Sequence, residues 1–498
     1  MFVSIWWNVP IPDTMDKSSN TDRVVERPDP DDLQAFLPWA CAQLQLPKDV
    51  VIIRNLQSEY RHPSTRPRLK LSMPWACAQL QLPKDVAQQI MYEYVSAVTT
   101  DRGKAKGKSK PRVPSVVDDQ EKEGSSVSQE ETDLIRIHAV YDYADNLVSL
   151  RFDKNTNLPR MLMQILGLVI KFQIYLTSLT INQGLNKYVL YEIVNFLPKS
   201  RITDITLDNC FLSEGTYFTL LENASALRNL SLSRCRINDQ VVALIAAQLY
   251  HPKPGSVTLV VLNLSSNRIT DVGARSIREA LKMNIKLAYL NLADNFITDE
   301  GAAAIFNILS EFPLIPQEVM NMKSRHIDYL RNKQAAVIQI AKDLRVTDMI
   351  KGKGKSTPRL KPKGKDDIGS EKSACYSDAY FYEKAKAMAD SLTPFKDPYS
   401  SENVTYRDGV TYCLGNNTLC LLNLSYNSLS YPSVVKLLEV LVYQRDMDRK
   451  PRGLLNCRVE GNQLPLGCKE MVQIEEMLEY ALSGPGKRST APIKKKGK

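Results

Sequence analysis

The residues that could carry catalysis are few and scattered. Residues 354–357 and 107–109 contain the Gly-Lys-Ser core of a phosphate-binding P-loop. A P-loop also needs a glycine five residues before that core, between a strand and a helix, so that backbone N–H groups can cradle the phosphates. Met349 and Arg102 occupy those two positions. The sequence therefore predicts no nucleotide site in either segment.

Histidine and cysteine, the usual metal ligands and nucleophiles, are not grouped either. None of the four histidines lies in a His-Glu-x-x-His motif, which would place two metal ligands on one helix face. The nine cysteines include no Cys-x-x-Cys pair, which argues against a zinc ribbon and against a disulfide framework. We therefore expect a protein that is not an enzyme, has no cofactor or metal, and keeps its thiols reduced in the cytoplasm.

Two copies of one pattern lie in the middle of the chain, at residues 259–269 and 287–297. Each has leucine at its first, fourth and sixth positions, asparagine at its ninth and isoleucine at its eleventh. A glycine follows four residues later, Gly273 or Gly301, in a segment whose apolar residues have helical spacing. The pattern resembles the leucine-rich repeat family. In that family the leucines fill a shared core, and the asparagine satisfies backbone groups where the chain turns.

Weaker copies of the pattern flank these two. They begin at Leu147, Leu176, Ile202, Leu227, Leu419 and Leu454. In two of them a cysteine, Cys210 or Cys235, replaces the ninth-position asparagine, and we interpret both as buried members of the same ladder. One strand–turn–helix unit cannot bury its own apolar face, so the units must stack.

The repeat offsets leave room for a helix in each unit, which resembles the ribonuclease-inhibitor-like subclass. The resemblance implies an α/β solenoid curved into a horseshoe, with a parallel sheet on the concave face and helices on the convex face. Disordered basic insertions are expected outside the repeats.

The chain is expected to divide into repeat and non-repeat segments. These are a poorly defined N-terminal region (1–100), a disordered charged linker (101–133), repeats 1–6 (134–311), a helical then disordered basic insertion (312–416), repeats 7–8 with a capping helix (417–484) and a basic tail (485–498). The linker, the end of the insertion and the tail are rich in charge and glycine, so they bury too little surface to fold alone.

Thirteen residues of the N-terminal region occur twice, as 38–50 and letter for letter as 74–86. The repetition indicates either a recent duplication or a tandem binding motif. The second copy runs on into residues 87–98, which have helical character. We therefore expect the second copy, and not the first, to be structured.

An array split by a long charged insertion and closed by a short tail resembles the leucine-rich repeat-containing protein 71 family. The stretches most similar to that family are residues 262–274 and 290–305 before the insertion and 421–430 after it. The resemblance implies a non-enzymatic scaffold, a structural adaptor of the axoneme in cilia or flagella. The alternative is a cytosolic regulator that binds and modulates one protein partner.

The third, fifth and seventh positions of each repeat face away from the leucine core, because side chains alternate along a strand. We expect this surface to bind a protein partner, although any repeat array needs a polar face here. Val261, Tyr289 and Leu421 are its expected apolar anchors. The candidate contact residues are Asp153, Asp204, Asp208, Asn229, Ser231, Val261, Asn263, Tyr289, Asn291, Leu421, Asn423 and Arg458.

Three lysine-rich runs, at 102–112, 351–365 and 494–498, together carry more positive charge than the formal net charge of +10. They are either solvated linkers or sites for an acidic surface, and the family resemblance implies the acidic tails of tubulin. No aromatic residues alternate with the lysines, so nucleic acid is not expected. No apolar run approaches the roughly 20 residues that span a bilayer, so no membrane span is expected.

Overall fold

The computed structural model describes residues 28–44, 46, 50–56, 135–353, 378–392 and 397–483, apart from residues 154, 156, 224 and 466. The described strands are β1 (Val50–Leu56), β2 (Ile135–Tyr141), β3 (Leu147–Phe152), β4 (Ser178–Ile181), β5 (Asp204–Thr206), β6 (Asn229–Ser231), β7 (Val261–Asn263), β8 (Tyr289–Asn291), β9 (Phe312–Pro313), β10 (Val404–Arg407), β11 (Val410–Cys413), β12 (Leu421–Asn423) and β13 (Asn456–Arg458). The described helices are α1 (Leu33–Gln43), α2 (Arg160–Val169), α3 (Lys187–Phe196), α4 (Asp239–Gln248), α5 (Pro254–Thr258), α6 (Asp271–Met283), α7 (Asp299–Asn307), α8 (Pro316–Lys353), α9 (Asp378–Leu392), α10 (Tyr431–Met447) and α11 (Lys469–Ser483).

Ten of these strands form one long sheet in the order β1 to β8, then β12 and β13. Neighbouring strands are parallel except for the antiparallel pair β2 and β3. Equivalent repeat positions stand opposite each other, for example Leu262 and Leu290. The pairing confirms the predicted repeat register, and the mixed α/β architecture agrees with a leucine-rich repeat type of fold.

The core lies between this sheet and the layer of helices. Leu287, Leu290 and Leu292, the first, fourth and sixth positions of one repeat, are fully buried. One continuous apolar cluster runs from Leu33 in α1 to Ile474 in α11. The helices also pack in series, α4 against α6, α6 against α7 and α7 against α10. Each unit therefore buries its apolar face only by contacting its neighbours.

An asparagine ladder connects the turns that follow the strands. The Asn295 side-chain amide donates to the carbonyls of Leu264 (3.1 Å) and Leu292 (3.0 Å), and its oxygen accepts from the backbone N–H of Ile269 (3.1 Å). These bonds satisfy backbone groups that no strand partner reaches. Cys210 takes the same place, with its thiol 3.2 Å from the Ile181 carbonyl, which confirms the ladder interpretation.

A second ladder joins the starts of successive helices and explains the glycines of the pattern. Asp271, the first residue of α6, accepts hydrogen bonds from the backbone N–H groups of Thr298 (2.8 Å) and Gly301 (3.1 Å) in the next repeat. Asp239 does the same for Thr270 and Gly273. A Cβ atom at Gly273 would lie 2.6 Å from the Asp239 carboxylate, so a side chain there would displace the bond.

The sheet is continuous across the insertion. β8 pairs directly with β12, with Tyr289 opposite Leu421 and Asn291 opposite Asn423. The asparagine ladder also continues, because the Asn427 amide donates to the Leu292 carbonyl at 3.0 Å. The residues between these two strands therefore leave the array and return to it without interrupting the fold.

The insertion contains more regular structure than we expected. We expected a helical segment followed by disorder, but α8 extends over 38 residues and α9 packs along its second half. β9, β10 and β11 form a small antiparallel sheet. Arg325 of α8 makes two hydrogen bonds, of 2.6 and 3.1 Å, to the buried carboxylate of Asp397. The predicted disorder of the basic run falls mainly on residues 354–377, which lie outside the described residues.

The N-terminal end also differs from expectation. The first copy of the duplicated segment is structured, since it supplies most of α1 and the first residue of β1. Leu37 and Ala40 of α1 are fully buried in the core, and β1 pairs with β2 in parallel. The second copy, the charged linker and the basic tail lie outside the described residues. Within the described part, no helix is both long enough and apolar enough to cross a membrane.

Candidate protein-interaction surface

The strand face, defined here as the third, fifth and seventh positions of the repeats, lies opposite the leucine core. It has two parts of different chemistry. From β3 to β6 the strand-face side chains are polar and partly exposed, and we call this part the polar half. From β7 to β13 they include apolar side chains that are buried, and we call this part the apolar half. A protein partner could therefore reach the side chains of the polar half, but not the buried apolar side chains.

The polar half begins with Asp153, just after β3. Its carboxylate forms an ion pair with Arg151 (2.5 Å) and accepts a hydrogen bond from the Asn182 amide of the next repeat (2.5 Å). Arg151 is more than half exposed and Asp153 is about one-fifth exposed. The charge of Asp153 is therefore largely compensated within the array.

Asp204 and Asp208 lie on the repeat that begins at Ile202, two repeats after Asp153, and are oriented by their neighbours. Asp204 accepts hydrogen bonds from the Asn229 amide and the Thr203 hydroxyl. One oxygen of Asp208 accepts from the Ser231 hydroxyl (2.6 Å) and the Ser233 backbone N–H (2.9 Å). Two carboxylates are thus fixed at the third and seventh positions of one repeat, on a partly exposed surface, and no cation pairs with either in the described part of the chain.

Asn229 carries the least satisfied polar atom of this surface. Its amide nitrogen donates to Asp204, but its carbonyl oxygen is buried and has no hydrogen-bond partner among the described residues. An unsatisfied buried acceptor costs roughly 1–3 kcal/mol, so a donor that reaches it gains more than an ordinary surface contact would. Beside it stand the acidic side chain of Asp204 and the hydroxyl of Ser231, which lies on the same strand.

A short chain of hydroxyl and amide groups leads from the polar half towards β7. The Asn263 amide donates to the Ser231 hydroxyl at 2.9 Å, and the Ser265 hydroxyl donates to that of Ser233 at 3.1 Å. Side chains of successive repeats therefore hold each other in place at the strand spacing. A surface ordered in this way loses little entropy on binding a partner.

The three expected apolar anchors are not exposed, and this part of the prediction is wrong. Tyr289 is 1% exposed, Leu421 is 4% exposed and Val261 is 6% exposed. They stand opposite one another on adjacent strands, and together with Val260, Ala288, Cys420 and Leu455 they form a second apolar cluster. Ala481 of α11 packs against this cluster.

The sequence contains a signal for this burial, at the second position of the repeats. From the fifth repeat onward the second position is apolar as well, at Val260, Ala288, Cys420 and Leu455. In the three preceding repeats the same position is held by threonine or arginine. Two adjacent apolar positions indicate burial on both faces of a strand, whereas one indicates burial on a single face.

The remaining candidates mainly support the turns. The side-chain oxygens of Asn291 and Asn423 each accept from the backbone N–H two residues later, at 3.0 Å. Asn423 is buried, which differs from the expected exposed position, because it stands within the apolar half of the face. Arg458 on β13 is partly exposed. Among the candidate contact residues, the structure thus brings together Asp204, Asp208, Asn229 and Ser231. Asn263 lies at one side of this group.

The buried cysteines are not suited to nucleophilic chemistry. Burial raises the pKa of the Cys235 thiol to about 12, so almost none of it is thiolate near neutral pH. Its thiol donates to the Leu207 carbonyl at 3.1 Å. Seven cysteines lie in the described residues and all are free. No cluster of three or more potential metal ligands occurs among the described residues.

A family model described as a leucine-rich repeat matches residues 255–277 and 284–306. Each match covers one unit of the array, the first containing β7 with most of α6 and the second containing β8 and α7. No curated protein matches the chain. The matched repeats support a protein of the leucine-rich repeat type, which is generally a non-enzymatic fold used for protein interaction.

Proposed function

We propose that this protein, two repeats of which match the leucine-rich repeat model, is a non-enzymatic interaction scaffold whose polar half binds a segment of a protein partner. The observation that carries the proposal is the buried, unpartnered oxygen of Asn229, whose amide nitrogen contacts the carboxylate of Asp204 and whose strand also carries Ser231. These groups require a partner rich in hydrogen-bond donors. Lysine, arginine or backbone N–H groups of an extended segment meet that requirement.

The overall shape belongs to the same proposal. Strands on one side and longer helices on the other favour a curved array, because a helix is wider than a strand. The proposed curvature is that of a horseshoe with the strand face on its concave side. A concave face would surround the partner segment and increase the area buried on binding.

Site-specific photocrosslinking would test the binding surface. A photoreactive residue at Ser178, on the polar half, should capture a defined partner, whereas the same residue at Gln164, on a helix, should not. Asp204→Asn with Asp208→Asn should abolish the Ser178 crosslink while the melting temperature changes little. An unchanged crosslink in this variant, or equal capture at Gln164, would exclude the polar half as the binding site.

The cellular context is proposed from the resemblance of the split array to the leucine-rich repeat-containing protein 71 family. In this proposal the protein is a structural adaptor of the ciliary or flagellar axoneme, and its lysine-rich runs contact acidic tubulin tails. Tagged protein in ciliated cells should line the axoneme and resist detergent extraction. Pelleting with microtubules should weaken when the tubulin tails are removed, and equal pelleting would rule out the tails as the site.

A diffuse tag that detergent extracts readily would contradict the axonemal role. It would leave the alternative, a cytosolic regulator that binds and modulates one protein partner through the same surface. The crosslinking result tests the binding surface separately from the axonemal role, because it does not depend on where in the cell the partner is found.

A further inference from the structure

A second surface lies along the edge of the sheet where the strands end. We define the turn edge as the eighth and tenth positions of the repeats, from the one that begins at Ile202 to the one that begins at Leu419. Its large side chains are aromatic or basic. They are Phe211, Arg234, Arg236, Arg268, Phe296 and Tyr426. Phe211, Phe296 and Tyr426 are 54%, 60% and 65% exposed.

The backbone of the turn edge is held from repeat to repeat. Arg268 donates its N–H to the Ile237 carbonyl at 2.8 Å, and Phe296 donates to the Ile269 carbonyl at 2.9 Å. At the eighth position, Arg234 donates to the Ser265 carbonyl at 3.1 Å. The side chains therefore stand on a fixed frame whose spacing is that of the strands, about 4.8 Å.

The charge of the turn edge is positive and poorly compensated. Arg234 and Arg268 are exposed and form no ion pair within the described residues. The guanidinium of Arg236 lies 5.5 Å from the centre of the Phe211 ring, so it stacks on an aromatic face and pairs with no carboxylate in the described part. Asp294 is the single acidic residue at these positions.

Single exposed apolar side chains are ordinary on protein surfaces. The turn edge differs because three aromatic and three arginine side chains occupy equivalent positions of five consecutive repeats. Arginine and aromatic residues are also the types that contribute most to binding energy at protein interfaces. An arginine presents five donors in a fixed fork, which fits a carboxylate with two parallel hydrogen bonds.

We infer that the turn edge is a second binding surface, which takes an acidic peptide segment of a partner protein with an apolar side chain beside its carboxylates. The carboxylates pair with Arg236 and Arg268. The apolar side chain packs on Phe296, which stands next to Arg268 along the edge.

A nucleic acid fits this surface less well than an acidic peptide. Three arginines neutralise few phosphates, and the carboxylate of Asp294 interrupts the positive track beside Phe296. The inference is independent of the strand face, because none of these side chains belongs to the polar half. If the crosslinking experiment at Ser178 fails, the inference about the turn edge still holds. If the turn edge binds no acidic peptide, the proposal for the polar half is unaffected.

Fluorescence anisotropy of the full chain with the labelled peptide DEDFEDE tests the inference. We expect saturable binding that weakens with added salt. Arg236→Glu with Arg268→Glu should weaken it at least about tenfold, since two charge-assisted contacts become repulsive. Lys199→Glu with Arg201→Glu is the matched control. It makes the same charge change at two exposed positions before β5, at the other end of the strands, and should leave binding unchanged.

The apolar contact is tested separately. Phe296→Ser should weaken binding of DEDFEDE and leave binding of DEDSEDE unchanged, while the melting temperature reports that the variant is folded. Equal loss in both charge-reversal variants would mean attraction by net charge alone and would overturn the inference. No binding of DEDFEDE to the natural chain would overturn it too. Tighter binding of an oligouridylate, lost in the Arg236→Glu, Arg268→Glu variant, would assign the edge to nucleic acid instead.

Discussion

Tyr289 illustrates how the burial of one side chain changes its function. It lies on the strand face, but Val261 and Leu421 flank it on adjacent strands and it is almost fully buried. Truncation to alanine would leave a cavity in the second apolar cluster. We expect Tyr289→Ala to lower the free energy of unfolding by about 3 kcal/mol, measured by urea denaturation.

Asn263→Ala is the matched control for that variant, because it lies on the same face and is partly exposed. It removes the hydrogen bond to Ser231 and should cost about 1 kcal/mol or less. Equal destabilisation by both variants would contradict the burial of Tyr289 in the second apolar cluster.

The buried thiols predict an alkaline loss of stability. Burial raises the pKa of Cys210 from 9.0 to about 12 in the folded chain. A group whose pKa is raised by folding stabilises the fold fully below its unfolded pKa, and that contribution is lost as pH rises through the folded value. Urea denaturation should therefore show the advantage of the natural chain over Cys210→Ala shrinking between pH 9 and 12. A constant difference would show that the thiol does not titrate as its burial implies.

The polar candidates could be chosen from the sequence, but their accessibility could not be completely predicted. Strand alternation is a local property, so Asp204 and Asn229 were correctly expected on the same face of neighbouring strands. The burial of Leu421 depends on Leu455 and on Ala481, which approaches from the capping helix. The turn edge could not be predicted from the repeat pattern, because its residues lie between the leucines and asparagines that define that pattern.

The helices of the repeats depend on aspartates at their first turns. Asp299 of α7 accepts from the Ser430 backbone N–H at 2.9 Å and from the hydroxyls of Ser430 and Ser433, across the whole insertion. Asp299→Ala should lower the free energy of unfolding by roughly 1–3 kcal/mol, because three donors lose their acceptor. Asp294→Asn, at an exposed aspartate of the same repeat with φ 55°, keeps a residue type that tolerates the left-handed backbone and should change the free energy of unfolding little. A similar cost would contradict the role given to this ladder.

The same contact makes the stability of the fold depend on pH in the acid range. Burial raises the pKa of the Asp299 carboxyl, but the hydrogen bonds from Ser430 and Ser433 outweigh it, and the pKa is lowered overall. A lowered pKa gives stability that is present above the unfolded value and lost as pH falls through the folded value. The difference between the natural chain and Asp299→Ala should therefore shrink below about pH 4.

Repeat elements were predictable, whereas of the non-repeat elements only a helical segment early in the insertion and the capping helix were expected. For α6 and α7 the repeat pattern predicted both the helical spacing of the apolar residues and the residue at which each helix begins. No such template exists for α9 or for the β10–β11 hairpin, which are stabilised by contacts with α8 and with β9. α1 was missed because it packs against β1 and against α2, and α2 lies far along the chain.

The described molecule separates into a continuous array and a helical hairpin that projects from it. Val337 and Ala341 of α8 pack with Ala385 and Ala389 of α9 in a cluster of their own. Lys333 and Asp390 form an ion pair that brings the two helices together near the base of this hairpin. The distal part of the hairpin should therefore be dispensable for the stability of the array.

Replacing residues 334–389 by a short Gly-Ser linker tests this expectation. The urea midpoint of the array should remain unchanged, with near-native circular dichroism of the remaining helices and strands. Adding Arg325→Ala to the deletion should destabilise by about 3–5 kcal/mol, because Asp397 would be left charged and buried. A deletion that abolishes folding would show that the hairpin contributes to the array.

The direct pairing of β8 with β12 has a kinetic consequence. Ile297 and Asn427 are hydrogen-bonded although 130 residues apart, whereas Ile269 and Asn295, the equivalent pair one repeat earlier, are 26 residues apart. Closing the longer loop costs about 1.4 kcal/mol more in chain entropy if the loop is flexible, which is a roughly tenfold slower step. A helical hairpin that forms early shortens that loop. We therefore expect the insertion to affect how fast the last two repeats join the array more than how stable the completed array is.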